Sequence, residues 1–289
     1  MKKFLLPALL GFAFTGFAQK VNNKLSFQKG QKMEVIVETK KTSSFELMGQ
    51  PMETSVASTV NQTFDVTDVT DTGIILEQKV KRIQLEMNNP MQSGKFDSEI
   101  ESDRNGQLGK ILEQSLKNKY SLTLDATGKI TAVKIDEDSS NNKNKEAEDM
   151  MDLMSAQMGL PLGVPKAGDP STFKILPEKE VRQGDSWTDS SSSEGQKIKT
   201  TYTVKSITDN EITLDFTEEL NINTTQQIMG TEAIIKSNNK STGTILIDRA
   251  SGLLKQKTTA TEEEGSMEGQ GQILPVKGKT NTILTVKNL

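Results

Sequence analysis

The chain has 289 residues, with 35 Lys and Arg against 39 Asp and Glu, and hydrophobic residues make up 33% of it. This mildly acidic, mixed charge leaves no basic footprint for nucleic acid, so we expect no nucleic-acid partner. The sequence contains no histidine, which excludes Ser-His-Asp and Cys-His catalysis and the usual imidazole sites for zinc and copper. It also contains no cysteine, which excludes disulfides and a lipid carried on cysteine.

The N-terminus has the three zones of a secretory signal peptide. Two lysines precede the apolar run Phe4–Phe14, and Gly16 and Ala18 then place small residues at the −3 and −1 positions of a cleavage site. The apolar run is too short to span a bilayer. We therefore expect residues 1–18 to be removed before Gln19, and a periplasmic or secreted protein without a transmembrane helix.

The first half of the mature chain predicts β-hairpins. Phe27–Met33 has the pattern of a glycine turn that leads into a strand. In Thr63–Glu77, apolar and polar residues alternate on both sides of an Asp-Thr-Gly turn, which is typical of strands with one buried face. Leu122–Ile130 predicts a further hairpin, whose turn is opened by an aspartate and closed by Gly128. Because the closing residue needs a positive φ, we expect Gly128 to adopt one.

Two helices are predicted between these hairpins and the second half. Leu108–Lys119 carries leucine and isoleucine on one face. Lys145–Met158 carries alanine and methionine at helical spacing, and a Gly-Leu-Pro sequence ends it. A polar segment at 136–145 precedes the second helix, and the Gly- and Pro-rich residues 160–170 join the halves. The serine-rich tract Ser190–Gln196 is predicted to be an exposed loop.

The second half of the chain repeats three segments of the first, in the same order. The clearest match has no gap and keeps six residues, so that Val66 and Ile74 recur as Val204 and Ile212. Gly252 closes the second copy of a turn and is predicted to have a positive φ. Such a repeat marks a structural unit that is used twice. The matched pairs are Phe27–Met33 with Val181–Trp187, Thr63–Glu77 with Thr201–Asp215, and Leu122–Ile130 with Leu246–Leu253.

These elements predict an α+β fold that is mostly antiparallel β: a duplicated long-stranded curved sheet or half-barrel with two helices covering one face. Half-buried strands turn every second residue toward water, so 33% hydrophobic residues suffice for one core. We expect a single duplicated β-rich domain over residues 19–289. Its first half spans about 25–136, a helical and linker insert 137–172, and its second half 173–289.

Candidate catalytic and metal-binding residues have structural explanations. The Gly-Asp-Ser sequence ending at Ser186 resembles the nucleophile block of an esterase family, but no histidine is present to activate the hydroxyl. Aspartates of the repeated turns, such as Asp125 and Asp248, are favoured there for bonds to nearby backbone. Segment 136–147 begins like a calcium loop but lacks its turn glycine and final glutamate. We therefore expect no enzymatic activity, no metal and no cofactor.

Methionines provide the candidate ligand-binding residues. The chain has 12, and four of them lie in the predicted helix Lys145–Met158. Thioethers can hold Cu(I), but with no histidine or cysteine partner core packing explains the helical spacing better. Methionines also form adaptable apolar walls against lipid or peptide partners. In that interpretation Met151, Met154 and Met158 form a wall together with Met87.

Several blocks resemble a known family. Ile175–Val181 followed by Gly184–Trp187, the block Phe96–Ser98, and Leu122–Ile130 resemble a family of secreted bacterial proteins that is catalogued as a domain of unknown function. The resemblance covers most of the mature chain, and its motifs are turn and strand signatures that specify fold. More distantly, long antiparallel strands with a helix across one face resemble the periplasmic lipoprotein-carrier half-barrels, which shield acyl chains.

Two function classes follow from the sequence. The first is a non-enzymatic binding module that holds a lipid or another hydrophobic ligand between the sheet and the helices. The second is a structural or interaction protein of the cell envelope, with a protein partner and no small-molecule ligand. The first class requires a mostly apolar cavity between the methionine helix and the sheet, with a way in, whereas the second does not.

Overall fold

The computed structural model describes residues 21, 24–47, 50–89, 93–135, 155, 158–193, 195–228, 231–269 and 272–289. These residues form twelve strands and two helices. The strands are β1 (Lys32–Leu47), β2 (Gln50–Thr70), β3 (Gly73–Asn88), β4 (Ser93–Asp97), β5 (Lys119–Leu124), β6 (Ile130–Ile135), β7 (Ser186–Ser193), β8 (Gln196–Ile207), β9 (Glu211–Ile228), β10 (Thr231–Asp248), β11 (Leu254–Gly269) and β12 (Gln272–Asn288). The helices are α1 (Glu101–Asn105) and α2 (Gln107–Lys117). The predicted signal peptide and the calcium-loop-like segment lie outside the described residues.

The described strands form one open antiparallel sheet. Their order is β6-β5-β3-β2-β1-β12-β11-β10-β9-β8-β7, and β4 pairs with β3. β1 pairs with β12, so the first and last strands meet in the middle of the sheet. The sheet is curved and the strands are long, which confirms the predicted fold class.

The two best-matched hairpins have the same strand register. In each hairpin a valine pairs with a leucine immediately before a β-bulge: Val66 in β2 and Val204 in β8. Because a bulge shifts the register by one residue, its recurrence at matching positions keeps the same side chains on the buried face. The four residues predicted to share that face are all buried: Val66, Ile74, Val204 and Ile212.

The turns that were predicted from Asp and Gly have the expected geometry. Asp125 Oδ1 accepts a hydrogen bond from the backbone N–H two residues later at 2.8 Å, and Asp248 Oδ1 accepts one from the N–H three residues later, also at 2.8 Å. Gly128 has φ +90° and Gly252 has φ +70°. Both predictions of positive φ are confirmed.

The third pair of matched segments also shares its hydrogen bonds. Gly30 has φ +85° and Gly184 has φ +87°. The Gly30 N–H donates to the carbonyl of Val66 at 2.8 Å, and the Gly184 N–H donates to the carbonyl of Val204 at 2.9 Å. Gly184 therefore makes a turn before β7, as its structural interpretation predicts.

The helix predicted at Leu108–Lys119 is confirmed as α2, which ends two residues earlier. Its Leu112 is fully buried in a cluster with Ile83 and Phe96. The short helix α1 was not predicted, because its sequence has no apolar face. Of the predicted helix Lys145–Met158, only residues 155 and 158 are described, and both are helical.

The block Phe96–Ser98 attaches the two helices to the sheet. Phe96 is buried, and Ser98 Oγ accepts a hydrogen bond from the backbone N–H of Ile83 at 2.9 Å. The Arg82 guanidinium donates to Asp97, with Nε 3.0 Å from Oδ1, and this bond lowers the pKa of Asp97 to about 2. The block Phe96–Ser98, which is one part of the family resemblance, therefore has a structural role where the sheet meets the helices.

The prediction of an exposed loop at Ser190–Gln196 is wrong for most of that tract. Strand β7 continues through Ser193, and β8 begins at Gln196. Serine has low strand preference, but pairing with β8 satisfies the backbone whatever side chain is present. The predicted exposure holds, since the serine side chains of β7 face water.

Candidate functional site on the inner face of the sheet

Alternate residues along each strand point to a common side of the sheet, here called the inner face, which carries the buried core. In β1 it begins with Met33 and Val35. The end of the sheet at the β2–β3 turn, residues 71–72, is called proximal. The end at the β1–β2 hairpin, near residues 47–50, is called distal.

The proximal half of the inner face is a closed core. Phe173, from the segment between the halves, is fully buried and packs edge-on against Phe27 and Phe64, with ring centroids 5.4 and 5.2 Å apart. Leu160 and Leu162 from the same segment are buried in the cluster beneath α2. These contacts fill the proximal half with the protein's own side chains.

Toward the distal end the inner face becomes polar. The hydroxyl oxygens of Thr39 and Thr282 are 3.3 Å apart, and those of Ser241 and Thr261 are 2.9 Å apart. These mutual hydrogen bonds offset the cost of removing the hydroxyls from water. The region is called the polar band and comprises Thr39, Thr200, Glu218, Ser241, Thr261 and Thr282.

A glycine in β10 allows a side chain of β9 to reach across to β11. A Cβ at Gly243 would lie 2.6 Å from the Phe216 ring and 1.9 Å from the carbonyl oxygen of Thr258. The ring therefore occupies the space that any other residue at this position would fill. On the far side, Lys257 Nζ lies 4.6 Å from the ring centroid, which is cation–π geometry.

Lys257 is a half-buried cation among apolar neighbours. It pairs across the sheet with Ile245 on one side and Leu284 on the other. Burial lowers the pKa of its ammonium below the ordinary lysine value, and the charge of Glu218 acts in the opposite direction. Glu218 itself accepts a hydrogen bond from the Thr200 hydroxyl at 2.9 Å. Within the described part of the chain, Lys257 forms no ion pair.

A second glycine accommodates an ion pair that crosses β12. Lys41 Nζ lies 3.2 Å from Glu263 Oε2, and the side chains are 17% and 22% exposed. A Cβ at Gly278, which separates the two residues, would lie 3.1 Å from the same carboxylate oxygen. Lys41 is thus neutralised by a protein carboxylate, unlike Lys257.

Beyond the polar band the inner face again carries apolar side chains, among polar ones such as Ser237 and Asn239. The apolar side chains there are half-buried. Phe27 and Phe173 pack in the proximal core, and Leu160 packs in the cluster beneath α2. The apolar residues beyond the polar band are called the distal zone and comprise Phe45, Leu220, Ile222, Met267, Leu274 and Val276.

The methionines that were predicted to bind ligand lie elsewhere or outside the described residues. Met151 and Met154 are not described. Met158 is half-buried and packs against the cluster beneath α2. Met87 is half-buried on the inner face of β3. The sequence prediction of a methionine wall therefore stays a prediction, and the structure places neither Met158 nor Met87 among the distal zone residues.

Sequence reasoning missed the distal zone and Lys257. Alternation at Leu274 and Val276 could have indicated an inward face, but nothing local shows that the strands of both halves join there. Lys257 has no motif around it, because its partner Phe216 is on another strand.

The surface has a groove of about 680 Å3 at the distal end and a depression of about 470 Å3 among the proximal turns near Asp71. The groove is lined by outer-face residues such as Asn221 and Lys236 and also by Ile222 of the distal zone. Asn238 Nδ2 donates to Asn221 Oδ1 there at 3.0 Å.

The serine considered for catalysis has an ordinary environment, and the calcium-loop-like segment lies outside the described residues. Ser186 Oγ is 2.8 Å from Thr203 Oγ1, and both residues are exposed on neighbouring strands. In the described ranges, no three carboxylates lie close enough together to hold a metal ion.

The fold defines a class of large open antiparallel sheets with a partly covered inner face. The chain belongs to a family of unknown function, DUF6263, whose model matches residues 71–254. This confirms the resemblance to a domain of unknown function that the sequence motifs indicated. No functionally curated protein matches the sequence.

A comparison with solved structures matches two chains at low identity. One, which concerns lipid–protein interactions in lipovitellin, shares 11% identity with a TM-score of 0.48, and the match covers 91% of this chain and 26% of that chain. This chain thus spans about a quarter of the lipovitellin chain. The other is an outer membrane channel from Pseudomonas putida F1, with 8% identity, a TM-score of 0.22 and coverage of 91% and 98%. Neither likeness bears on ligand or location.

As far as the chain is described, it contains no helix with the length and apolar character needed to cross a membrane.

Proposed function

We propose that this protein is a non-enzymatic, extracytoplasmic binding module that holds an amphipathic ligand along the distal half of its inner face. The observation that carries the proposal is the order of surfaces there: a closed core, then the polar band, then the half-exposed distal zone. An apolar chain fits the distal zone, and a polar head fits the band.

The distal zone offers enough apolar surface to matter for binding. Full burial of a Leu, Ile, Val, Phe or Met side chain is worth about 1.5–3 kcal/mol, and the zone contains six such residues that are only partly buried. Partly exposed apolar side chains gathered on one face are a feature of ligand and partner sites. Burial of what remains exposed would contribute several kcal/mol to the binding free energy.

The alternative is an interaction protein of the cell envelope, whose partner covers the same face. The outer face favours no particular partner, since its charges pair across the strands, as Lys277 does with Glu264 at 3.8 Å and Lys279 with Glu262 at 3.7 Å. A protein partner would bury the distal zone without a small ligand. Binding of a soluble amphiphile by the isolated protein separates the two proposals.

The test is a titration of the mature protein with a glycolipid that has a neutral lactose head and a fluorescent acyl chain. Leu274→Asp places a charge in the distal zone, since Leu274 is half-buried on the inner face. We expect this variant to bind at least ten-fold more weakly than wild type, because the carboxylate repels the acyl chain.

Ile273→Asp is the matched control. Ile273 is the preceding residue on β12, points to the outer face and is 63% exposed. It should bind like wild type, and both variants should melt within a few degrees of it. If wild type does not bind the probe, or if Ile273→Asp weakens binding as much as Leu274→Asp, the proposal fails and the interaction protein is favoured.

The location is tested separately by fractionating cells that produce the full chain. The mature protein should be recovered outside the cytoplasm with Gln19 as its first residue. Recovery in the cytoplasm with Met1 intact would contradict the extracytoplasmic part of the proposal.

A further inference from the structure

Lys257 differs from the lysines near it. Lys41, on the same inner face, forms an ion pair with Glu263 at 3.2 Å. Lys255, two residues before Lys257, is exposed and forms an ion pair with Glu211 at 2.9 Å. Lys257 is half-buried, with the Phe216 ring against its ammonium and the charge of Glu218 near enough to act on it, and in the described part of the chain it forms no ion pair.

A half-buried ammonium without a carboxylate partner destabilises a fold, and the face of a ring compensates for only part of that cost. The neighbouring residues nevertheless accommodate the ammonium, because the absence of a side chain at Gly243 leaves the space in which the Phe216 ring contacts Lys257. Hydroxyl groups adjoin the site: Thr259 follows two residues later on the same face of β11 and pairs with Thr282. A cation with neighbouring hydroxyl donors is suited to an anionic group from outside the chain.

We propose that Lys257 receives an anionic group, a carboxylate or a phosphate, at the end of the ligand's polar head. This inference rests on the proposed function and adds the class of ligand. The hydroxyls of Thr259 and Thr282 donate hydrogen bonds to the same anion, and the Phe216 ring holds the ammonium in place.

The spacing along the strands sets the length of the head. Phe216 marks the cation, and Leu220 is the nearest residue of the distal zone on the same strand, so four residues separate them, or about 13 Å at about 3.3 Å per residue. The acyl chain of a free fatty acid or a simple phospholipid with its charge at Lys257 would have to cross the polar band, where it leaves hydroxyl groups without partners. A head of two or three sugars that ends in an anion places its own hydroxyl groups there, so the class is an anionic glycolipid.

The experiment compares three probes with the same fluorescent acyl chain: the neutral lactosyl lipid, its sialylated counterpart, which adds a carboxylate, and a lactosyl lipid that ends in phosphate. Each is titrated into wild type and into Lys257→Met, which keeps the apolar stem and removes the charge. We expect wild type to bind at least one anionic probe five-fold or more tightly than the neutral one, and the anion it prefers distinguishes a carboxylate from a phosphate source. Lys257→Met should lose this preference and bind the neutral probe within two-fold of wild type.

Two further variants complete the test. Lys255→Met removes the same charge from an exposed site and should keep the preference, and Lys257→Arg keeps the cation and should keep most of it. Equal binding of all probes by wild type, or an unchanged preference in Lys257→Met, overturns the role of Lys257 while the proposed function stands. Absence of binding of every probe by wild type overturns the proposed function itself.

Discussion

The two halves of the sheet are alike at the proximal end and different at the distal end. β2–β3 and β8–β9 share their register and the bulge next to the proximal turn, and the turns beside them carry matching glycines of positive φ, Gly30 with Gly184 and Gly128 with Gly252. After β3, however, the chain forms β4, α1 and α2 before it returns as β5. After β9 it returns directly as β10 through a hairpin near residues 228–231.

The helices decide what the inner face of each half becomes. In the first half α2 places Leu112 against Ile83 and Leu85, and the face becomes core. The described helices α1 and α2 pack on β4 and β3 of the first half, whereas the inner faces of β9 and β10 carry Glu218, Ser241 and the partly exposed Leu220. The same ladder of strands thus supports a closed core in one half and leaves apolar side chains partly exposed in the other.

The largest expected effect is on the covered half. Leu112→Ala should lower the free energy of unfolding by about 2–5 kcal/mol, because it leaves a cavity in a closed cluster. Leu220→Ala, at a half-buried site of the other half, should cost less than about 1.5 kcal/mol. Denaturant unfolding of both variants measures the contrast, and equal losses would show that the second half is packed as tightly as the first.

The next effect tests whether the proximal turns are equivalent. Val at Gly128 or at Gly252 should cost about 1–3 kcal/mol in each half, because a β-branched residue is strained at positive φ. The added Cβ would also lie 2.6 Å from Leu25 Cδ1 at the first site and 2.9 Å from the Lys24 carbonyl oxygen at the second. Gly94→Ala is the control, since nothing lies within 4 Å of its Cβ position. If only one of the two variants lost stability, the turns at Gly128 and Gly252 would not be equivalent.

A smaller effect should depend on pH and comes from Asp97 in the first half. The pKa of Asp97 is about 2 in the folded protein against an ordinary 3.8, so the unfolded chain takes up the proton first. The stabilisation is therefore complete above about pH 5 and is lost as pH falls through about 2. At pH 7 the melting temperature of wild type should be higher than that of Asp97→Asn. This difference should shrink as the pH is lowered toward about 2. A constant difference would mean that Asp97 acts through hydrogen-bond geometry alone.

The smallest effect is expected at the serine considered for catalysis. Ser186→Ala removes an exposed hydroxyl that contacts Thr203 and should change the free energy of unfolding by less than about 0.5 kcal/mol. Ligand binding should be unchanged. Loss of a measurable hydrolytic activity in this variant, with stability intact, would contradict the proposal that the protein is not an enzyme.

The sequence by itself determined the local structure of this protein. The hairpins, the positive φ of Gly128 and Gly252 and the helix α2 all depend on residues a few positions apart, so alternation, turn chemistry and helical spacing were sufficient. The serine tract of β7 shows the limit, because pairing with β8 overrode a weak local preference.

Tertiary structure alone decided the candidate site. The meeting of β1 with β12, the covering of one half by α2, and the position of Lys257 over Phe216 bring together residues that are distant along the chain. Nothing local specifies such contacts, since strand alternation shows which residues share a face but not which strand lies beside them. The same lysine would be an ordinary exposed cation on an edge strand, and the place of β11 between β12 and β10 makes it a half-buried one.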